Sequence, residues 1–303
     1  MSAEHDLLRA RLGRVGAWTF AFDSQPAEAV AEAAREIESM GYPALWVPEG
    51  GGSRDIIGHL SWLLANTTRI TVASGIANIT AREPEVLQAG ATLLADAYGG
   101  RAVLGVGVGH PYTTEARGYG WAKPLERMRS YLDAMDVAAD RWPAPAVPAQ
   151  RMLAALGDGM LRLAGSRALG AHTYFVPVAH TARARELLGQ EPVLAVEQTV
   201  VLERAPETAR GIARAWTRHY LESPNYANNW IRSGFGPDDV AEGGSDRLID
   251  DAIAWGDAAA VGARVKAHLD AGADHVCLQV ISGRDADVCL PQLRELAPLV
   301  LGL

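Results

Sequence analysis

Residues 69–108 read RITVASGIANITAREPEVLQAGATLLADAYGGRAVLGVGV, and the fold class follows from this stretch. Its first part, 69–76, is a continuous run suited to a buried strand. Pro84 then opens a helical segment to residue 98, where Gly99-Gly100 ends it, and 101–108 begins a second buried strand. A strand, a helix and another strand in 40 residues form the crossover unit of a parallel sheet.

The same unit recurs outward in both directions. Upstream, 14–20 is apolar, and Ser24-Gln25-Pro26 opens a helix whose inner face carries Val30, Ala34 and Ile37 before Gly41 closes it. A second strand at 44–47 and a helix at 56–65 follow. Downstream come a helix at 125–139, a strand at 150–156, a helix at 159–169, a strand at 172–176 and a helix at 181–188, then strands at 192–202 and 275–281. Eight strands, most of them continuous rather than alternating, point to an α/β protein with a closed (β/α)8 TIM barrel over residues 1–303 as one domain. The region 222–256 (SPNYANNWIRSGFG, then AEGGSD) is too long for a tight connection and reads as a helical insertion between strands seven and eight. A doubly wound dinucleotide fold is disfavoured: Gly105, Gly107 and Gly109 have the wrong spacing for its fingerprint and lie on the fourth strand.

Composition narrows the function. The 303 residues carry a formal charge of −8, which argues against nucleic acid and other anionic partners. Two cysteines, Cys277 and Cys289, exclude a disulfide framework and argue against a Cys-based zinc site; Cys277 reads as a small buried hydrophobe. The start of the chain carries no export signal and no apolar run is long enough to span a bilayer, so the expected setting is cytoplasmic, without membrane association. The sequons at Asn66 and Asn78 are then chance matches. P-loop, zincin and nucleophile-elbow motifs are missing. The two lysines, Lys123 and Lys266, fall in helix or loop contexts, which argues against Schiff-base chemistry.

In such a barrel the working groups sit at the C-terminal ends of the strands. Strand two ends in Val47-Pro48-Glu49-Gly50-Gly51-Gly52, placing the Glu49 carboxylate at the mouth. Strand three ends in Ser74-Gly75-Ile76-Ala77-Asn78, where an internal glycine marks a bulge or a close ligand, and Asn78 offers an amide to a heterocycle edge or caps the next turn. Strand four runs through Gly105, Gly107, Val108 and Gly109 to His110. The alternate glycines leave a face against which a planar ring can lie, with His110 at its edge as a proton donor or acceptor. The other histidines lack such a setting, His219 and His268 reading as helix surface. Strand five ends in Ala155-Leu156-Gly157-Asp158-Gly159 before a helix, a site for a phosphate or, through Asp158, a simple cap.

With these residues in view the chain resembles the luciferase-like monooxygenase superfamily, in its branch dependent on the deazaflavin coenzyme F-420. The resemblance rests on GYPALWVPEG (41–50), RITVASGIANITAREP (69–84), GRAVLGVGVGHP (100–111), LAALGDGMLRLAGSRALGA (153–171) and LDAGADHVCLQV (269–280). It implies a barrel with an insertion, a homodimer, and F-420, or alternatively FMN, at the C-terminal mouth. It further implies a non-proline cis peptide at Ser74-Gly75 or Gly75-Ile76 behind the ring, with Asn78 beside it. Glu49 falls where relatives place an acidic residue. Gly107, Val108, Gly109 and His110 match the loop beside the ring; Ala155, Gly157 and Gly159 match the loop holding the phosphate-bearing tail. Glu49-Gly50 and Gly109-His110 depart from the acidic and Asp-His patterns of sugar-phosphate and methanopterin enzymes, so those substrates do not carry over. The implied activity is hydride transfer between F-420 and a small organic molecule, with His110 or Glu49 moving the proton; no metal is implied. The alternatives are an FMN-dependent monooxygenase and a non-catalytic cofactor-binding protein, for which the insertion closes the mouth.

Overall fold

The computed structural model describes residues 3–50, 53–284 and 286–303. Ten strands lie in one parallel sheet: β1 (Val15–Trp18), β2 (Ala44–Val47), β3 (Thr71–Ser74), β4 (Ala77–Asn78), β5 (Ala102–Gly107), β6 (Gln150–Ala154), β7 (Gly170–Thr173), β8 (Val193–Val201), β9 (Ala254–Trp255) and β10 (His275–Val280). The order β10-β1-β2-β3-β5-β6-β7-β8 closes because β10 also pairs with β8, in register from His275 with Ala195 to Val280 with Val200. Eight parallel strands with helices outside make the (β/α)8 barrel that the repeated unit predicts. The short β4 pairs with β5 and β9 with β8, each extending a neighbour at the rim.

Burial explains why the strands read as continuous apolar runs. Every residue of β1, β2, β3, β5, β7, β8 and β10 is buried, with one face against the helices and the other filling the barrel. Inside, Trp46, Val103, Met152 and Cys277 pack in one cluster with Leu8 and Leu12 of the helix Ala3–Leu12, which plugs the N-terminal end. No periodicity in the sequence had marked that first helix.

Between β8 and β10 the chain forms helices Pro206–Leu221, Pro224–Arg232, Pro237–Val240 and Asp246–Ala252 before β9. The helical excursion therefore begins earlier than residue 222, because Ala209, Ala213, Tyr220 and Leu221 bury one face of Pro206–Leu221. These helices share an apolar cluster separate from the barrel's, built around Phe175, Tyr226, Trp230 and Leu248. No helix of the described residues is long and apolar enough to cross a membrane. Gly51 and Gly52 at the end of the β2 loop lie outside the described residues.

Candidate active site

The C-terminal strand ends surround a cavity of about 430 Å³. It is lined by ten of the twelve residues singled out from the sequence: Glu49 after β2, Gly75, Ile76 and Asn78 of the β3–β4 bulge, Val108 to His110 after β5, and Ala155, Gly157 and Gly159 after β6. The remaining two, Ser74 and Gly107, sit behind this wall. Ser74 is fully buried and its Oγ donates to Gly105 O at 2.9 Å, while Gly107 faces Ile76.

The glycines of β5 do a different job from the one expected of them. A β-carbon on Gly105 would stand 2.1 Å from Ser74 O, and one on Gly107 would stand 2.4 Å from Ile76 Cδ1. The bare face is filled by the neighbouring bulge, not left open for a ring. Glycine is required at Gly105 because the Ser74 backbone approaches within contact distance, while at Gly107 the room is taken by the Ile76 side chain. Of the two peptides named in the third strand, Gly75-Ile76 is the cis one. A β-carbon on Gly109, at φ 72°, would collide with Asn78 Nδ2 at 2.2 Å.

Asn78 has a fixed orientation. The backbone N–H and the Oγ of Thr80 both donate to Asn78 Oδ1, at 3.0 and 2.8 Å, so its amide oxygen is engaged and its Nδ2 hydrogens face Gly109 and the cavity side. Arg117 in turn donates to Thr80 Oγ at 3.1 Å.

Glu49 is not a free carboxylate. Arg82 approaches both of its oxygens, through Nη1 to Oε2 at 2.9 Å and through Nη2 to Oε1, and Asn78 N–H donates to Oε2 at 2.8 Å. The Glu49 and Arg82 side chains are 5% and 10% exposed, so the pair is largely withdrawn from water. Arg82 also reaches Asp55 at 2.9 Å. This arrangement ties the ends of β2 and β4 together.

His110 stands at the end of β5, immediately before the short helix Pro111–Ala116. Its ring lies parallel to Tyr112 at 5.3 Å and is 5.5 Å from Tyr226. Burial, then the neighbouring His219, pulls it down to about 4, so the imidazole is neutral at pH 7. His219 is exposed at the rim, as expected, with Nε2 3.4 Å from Tyr112 Oη. His268 is fully buried instead of surface-exposed: Nδ1 accepts from Thr181 Oγ at 2.8 Å and Nε2 donates to Gln198 Oε1 at 2.9 Å. A histidine within an otherwise helical pattern looks solvated until its partners on other elements are known.

Several wall residues lie outside the strand-end motifs. Trp18 of β1, His172 of β7 and Tyr174 all line the cavity, and His172 stacks on Trp46 at 4.4 Å. From the insertion come Tyr220, Asn225 and Tyr226. Tyr174 Oη donates to Gln279 Oε1 at 2.8 Å, which leaves Tyr220 as the donor in the 2.9 Å Tyr220–Tyr174 bond. Within the barrel, Glu197 of β8 accepts from Thr199 Oγ at 2.6 Å and from the Phe175 N–H at 3.0 Å, and burial pushes it up to about 7.

Beside the opposite wall, helix Asp158–Arg167 starts after Gly157, where a β-carbon would meet nothing within 4 Å. Asp158 pairs with Arg183 at 2.6 Å, which holds its carboxyl below the usual range and offsets the negative charge in this turn. Among the described residues no group of three or more His, Cys, Asp or Glu is placed to hold a metal.

Comparison with known proteins agrees with this geometry. The sequence profile for luciferase-like monooxygenases matches residues 12–275. A Mycobacterium tuberculosis protein provisionally assigned as a coenzyme F-420-dependent oxidoreductase is 29% identical over 219 residues, 70% of this chain and 57% of that protein. The chain spans between about a third and a little over half the length of the curated relatives it matches. Among solved structures, an F-420-dependent secondary alcohol dehydrogenase holding an F-420–acetone adduct superposes with a TM-score of 0.76 at 14% identity, covering 95% of this chain and 98% of that one. The oxygenating constituent of 3,6-diketocamphane monooxygenase from Pseudomonas putida, in complex with FMN, superposes at 0.74 with 16% identity and the same coverage.

Proposed function

The chain belongs to the luciferase-like monooxygenase family, and from that premise we propose that it is an oxidoreductase transferring a hydride between coenzyme F-420 and a small organic substrate at the barrel mouth. The observation that carries this reading is the convergence of ten sequence-identified residues on one cavity. The curated relative from M. tuberculosis and the alcohol dehydrogenase structure support the choice of F-420.

The residues present fit a deazaflavin. Asn78 would offer N–H donors to the acceptor atoms of the ring edge, and Val108 and Gly109 would help to hold the ring. Ala155, Gly157 and Gly159 keep the start of helix Asp158–Arg167 clear, where amides at a helix N-terminus suit the phosphate of the tail. When bound, the deazaflavin supplies a ring carbon that takes or gives a hydride. His110, neutral in the folded protein, takes the proton released by the substrate in the oxidising direction and returns it in the reverse direction. Glu49, already engaged by Arg82 and Asn78 N–H, acts as the anchor that holds the bulge. A homodimer and a cytoplasmic setting belong to the same reading.

A second reading, an FMN-dependent monooxygenase, is favoured by the FMN-bound neighbour. Titrating the protein separately with F-420 and with FMN, following absorbance and fluorescence, distinguishes the two. Binding of F-420 at micromolar or tighter Kd with weak FMN binding is expected. Preference for FMN moves the assignment to oxygen chemistry, and binding of neither overturns the cofactor reading. Tight cofactor binding with no turnover of any substrate would indicate a carrier.

A further inference from the structure

The insertion-side half of the cavity combines three properties. Its wall is aromatic, formed by Tyr112, Tyr174, Tyr220 and Tyr226 around His110, with Tyr112 and Tyr226 on His110 at 5.3 and 5.5 Å. Among the described residues lining the whole cavity there is no lysine or arginine. The Tyr220 and Tyr174 hydroxyl hydrogens are committed along the line to Gln279, so what remains on Tyr220 is lone pairs.

Among its described residues such a wall has no cationic partner for an anion, and for a cation it has ring faces without a free carboxylate. An anion would meet ring π-clouds and a few neutral donors but no lysine or arginine, so burying it there removes its hydration without a compensating charge. A cation would find the ring faces but no available carboxylate. Glu49 is taken by Arg82 and Asn78 N–H, and Glu197 is bonded to Thr199 and Phe175 N–H.

We infer that this aromatic enclosure selects an uncharged, ring-bearing substrate carrying a hydroxyl or carbonyl, and that Tyr226 and Asn225, both in its wall, set that choice. The inference rests on the cavity being the substrate site of the proposed oxidoreductase. It separates this protein from enzymes acting on phosphorylated or carboxylated molecules. A hydroxyl or carbonyl of such a substrate meets His110, and its apolar ring fills the space between Tyr112 and Tyr226.

Three probes of nearly equal size test the charge preference: cyclohexanone, cyclohexanecarboxylate and cyclohexylammonium. Each is titrated against the protein alone and against the protein loaded with F-420, with the fluorescence of Trp18 and Trp121, which line the cavity, as the readout. Cyclohexanone is expected to bind at least about tenfold more tightly than either ion in both forms. Tyr226→Ala weakens it by about fivefold or more, whereas Tyr226→Phe, which keeps the ring, stays within about twofold. Asn225→Arg raises carboxylate affinity by about tenfold by supplying the missing cation. Equal or tighter binding of either ion, or no binding of any probe at millimolar concentration, overturns the inference. If F-420 fails to bind while the preference for the ketone persists, the cofactor reading falls and the enclosure's selectivity stands. If F-420 binds and the ions compete equally, the reverse holds.

Discussion

Acidification should unfold this protein through its histidines. Five of the eight, His59, His110, His172, His268 and His275, are held down to about 3 or 4, with burial the largest cause in each. The bonding pattern also sets His275 neutral, since Trp46 Nε1 donates to its Nε2 while its Nδ1 donates to Gly13 O. In the unfolded chain these rings titrate near 6.5. Between pH 6.5 and about 4 the unfolded state therefore holds protons that the folded state refuses, and stability falls as pH falls through that window. Glu197 acts in the opposite sense. Raised to about 7 when folded, it contributes stability that is fully present below about 4.5 and is lost as pH rises through 7, so acidification restores it. Averaged over pH 6.5 to 5.5 the five unfolded histidines are about three-quarters protonated, which against the one glutamate leaves about three protons and a net loss of about 4 kcal/mol. A natural domain has only about 5–15 kcal/mol in total. Urea unfolding across this pH range reads the loss directly, and the midpoint should move down by more than about 1 M. His268→Gln should reduce the pH slope by about one proton. A stability constant to within about 1 kcal/mol from pH 7 to 5.5 would refute the reasoning, because the histidines would then titrate alike in both states.

Three further outcomes follow from particular contacts. Arg82→Met leaves Glu49 charged and buried without its partner; the cost should be about 3–5 kcal/mol in urea unfolding, and the double variant with Glu49→Leu should recover much of it. Gly105→Ala drives a β-carbon against Ser74 O, and a loss of about 1–3 kcal/mol or more is expected from thermal melts, with none at Gly157→Ala, where there is open space. His110→Ala should lower turnover about 10² to 10⁴-fold with cofactor affinity within a few-fold in a fluorescence titration; unchanged turnover removes His110 from proton transfer.

The barrel was legible because most of its strands are buried on both sides and advertise this in a run such as RAVLGVGV, with a helix start and stop between runs. The strand ends then located Glu49, Asn78 and His110 near one another. What the sequence hid were facts about pairs. Nothing local says that Glu49 meets Arg82, 33 positions away, or that Ile76 fills the room left by Gly107. Trp18 and His172 carry no mark of their own because a strand residue facing the barrel interior has the same periodicity whether it ends in the core or at a ligand. Tyr220, ahead of residue 222, needed the insertion's own path before it could be placed at the mouth.

The helices between β8 and β9 bury their apolar residues mainly in a cluster of their own. Substitutions inside that cluster should couple with one another while adding independently to changes around the barrel. Lineages could then remodel the roof of the site in small steps, exchanging one preferred substrate for another, while the machinery beneath is inherited unchanged.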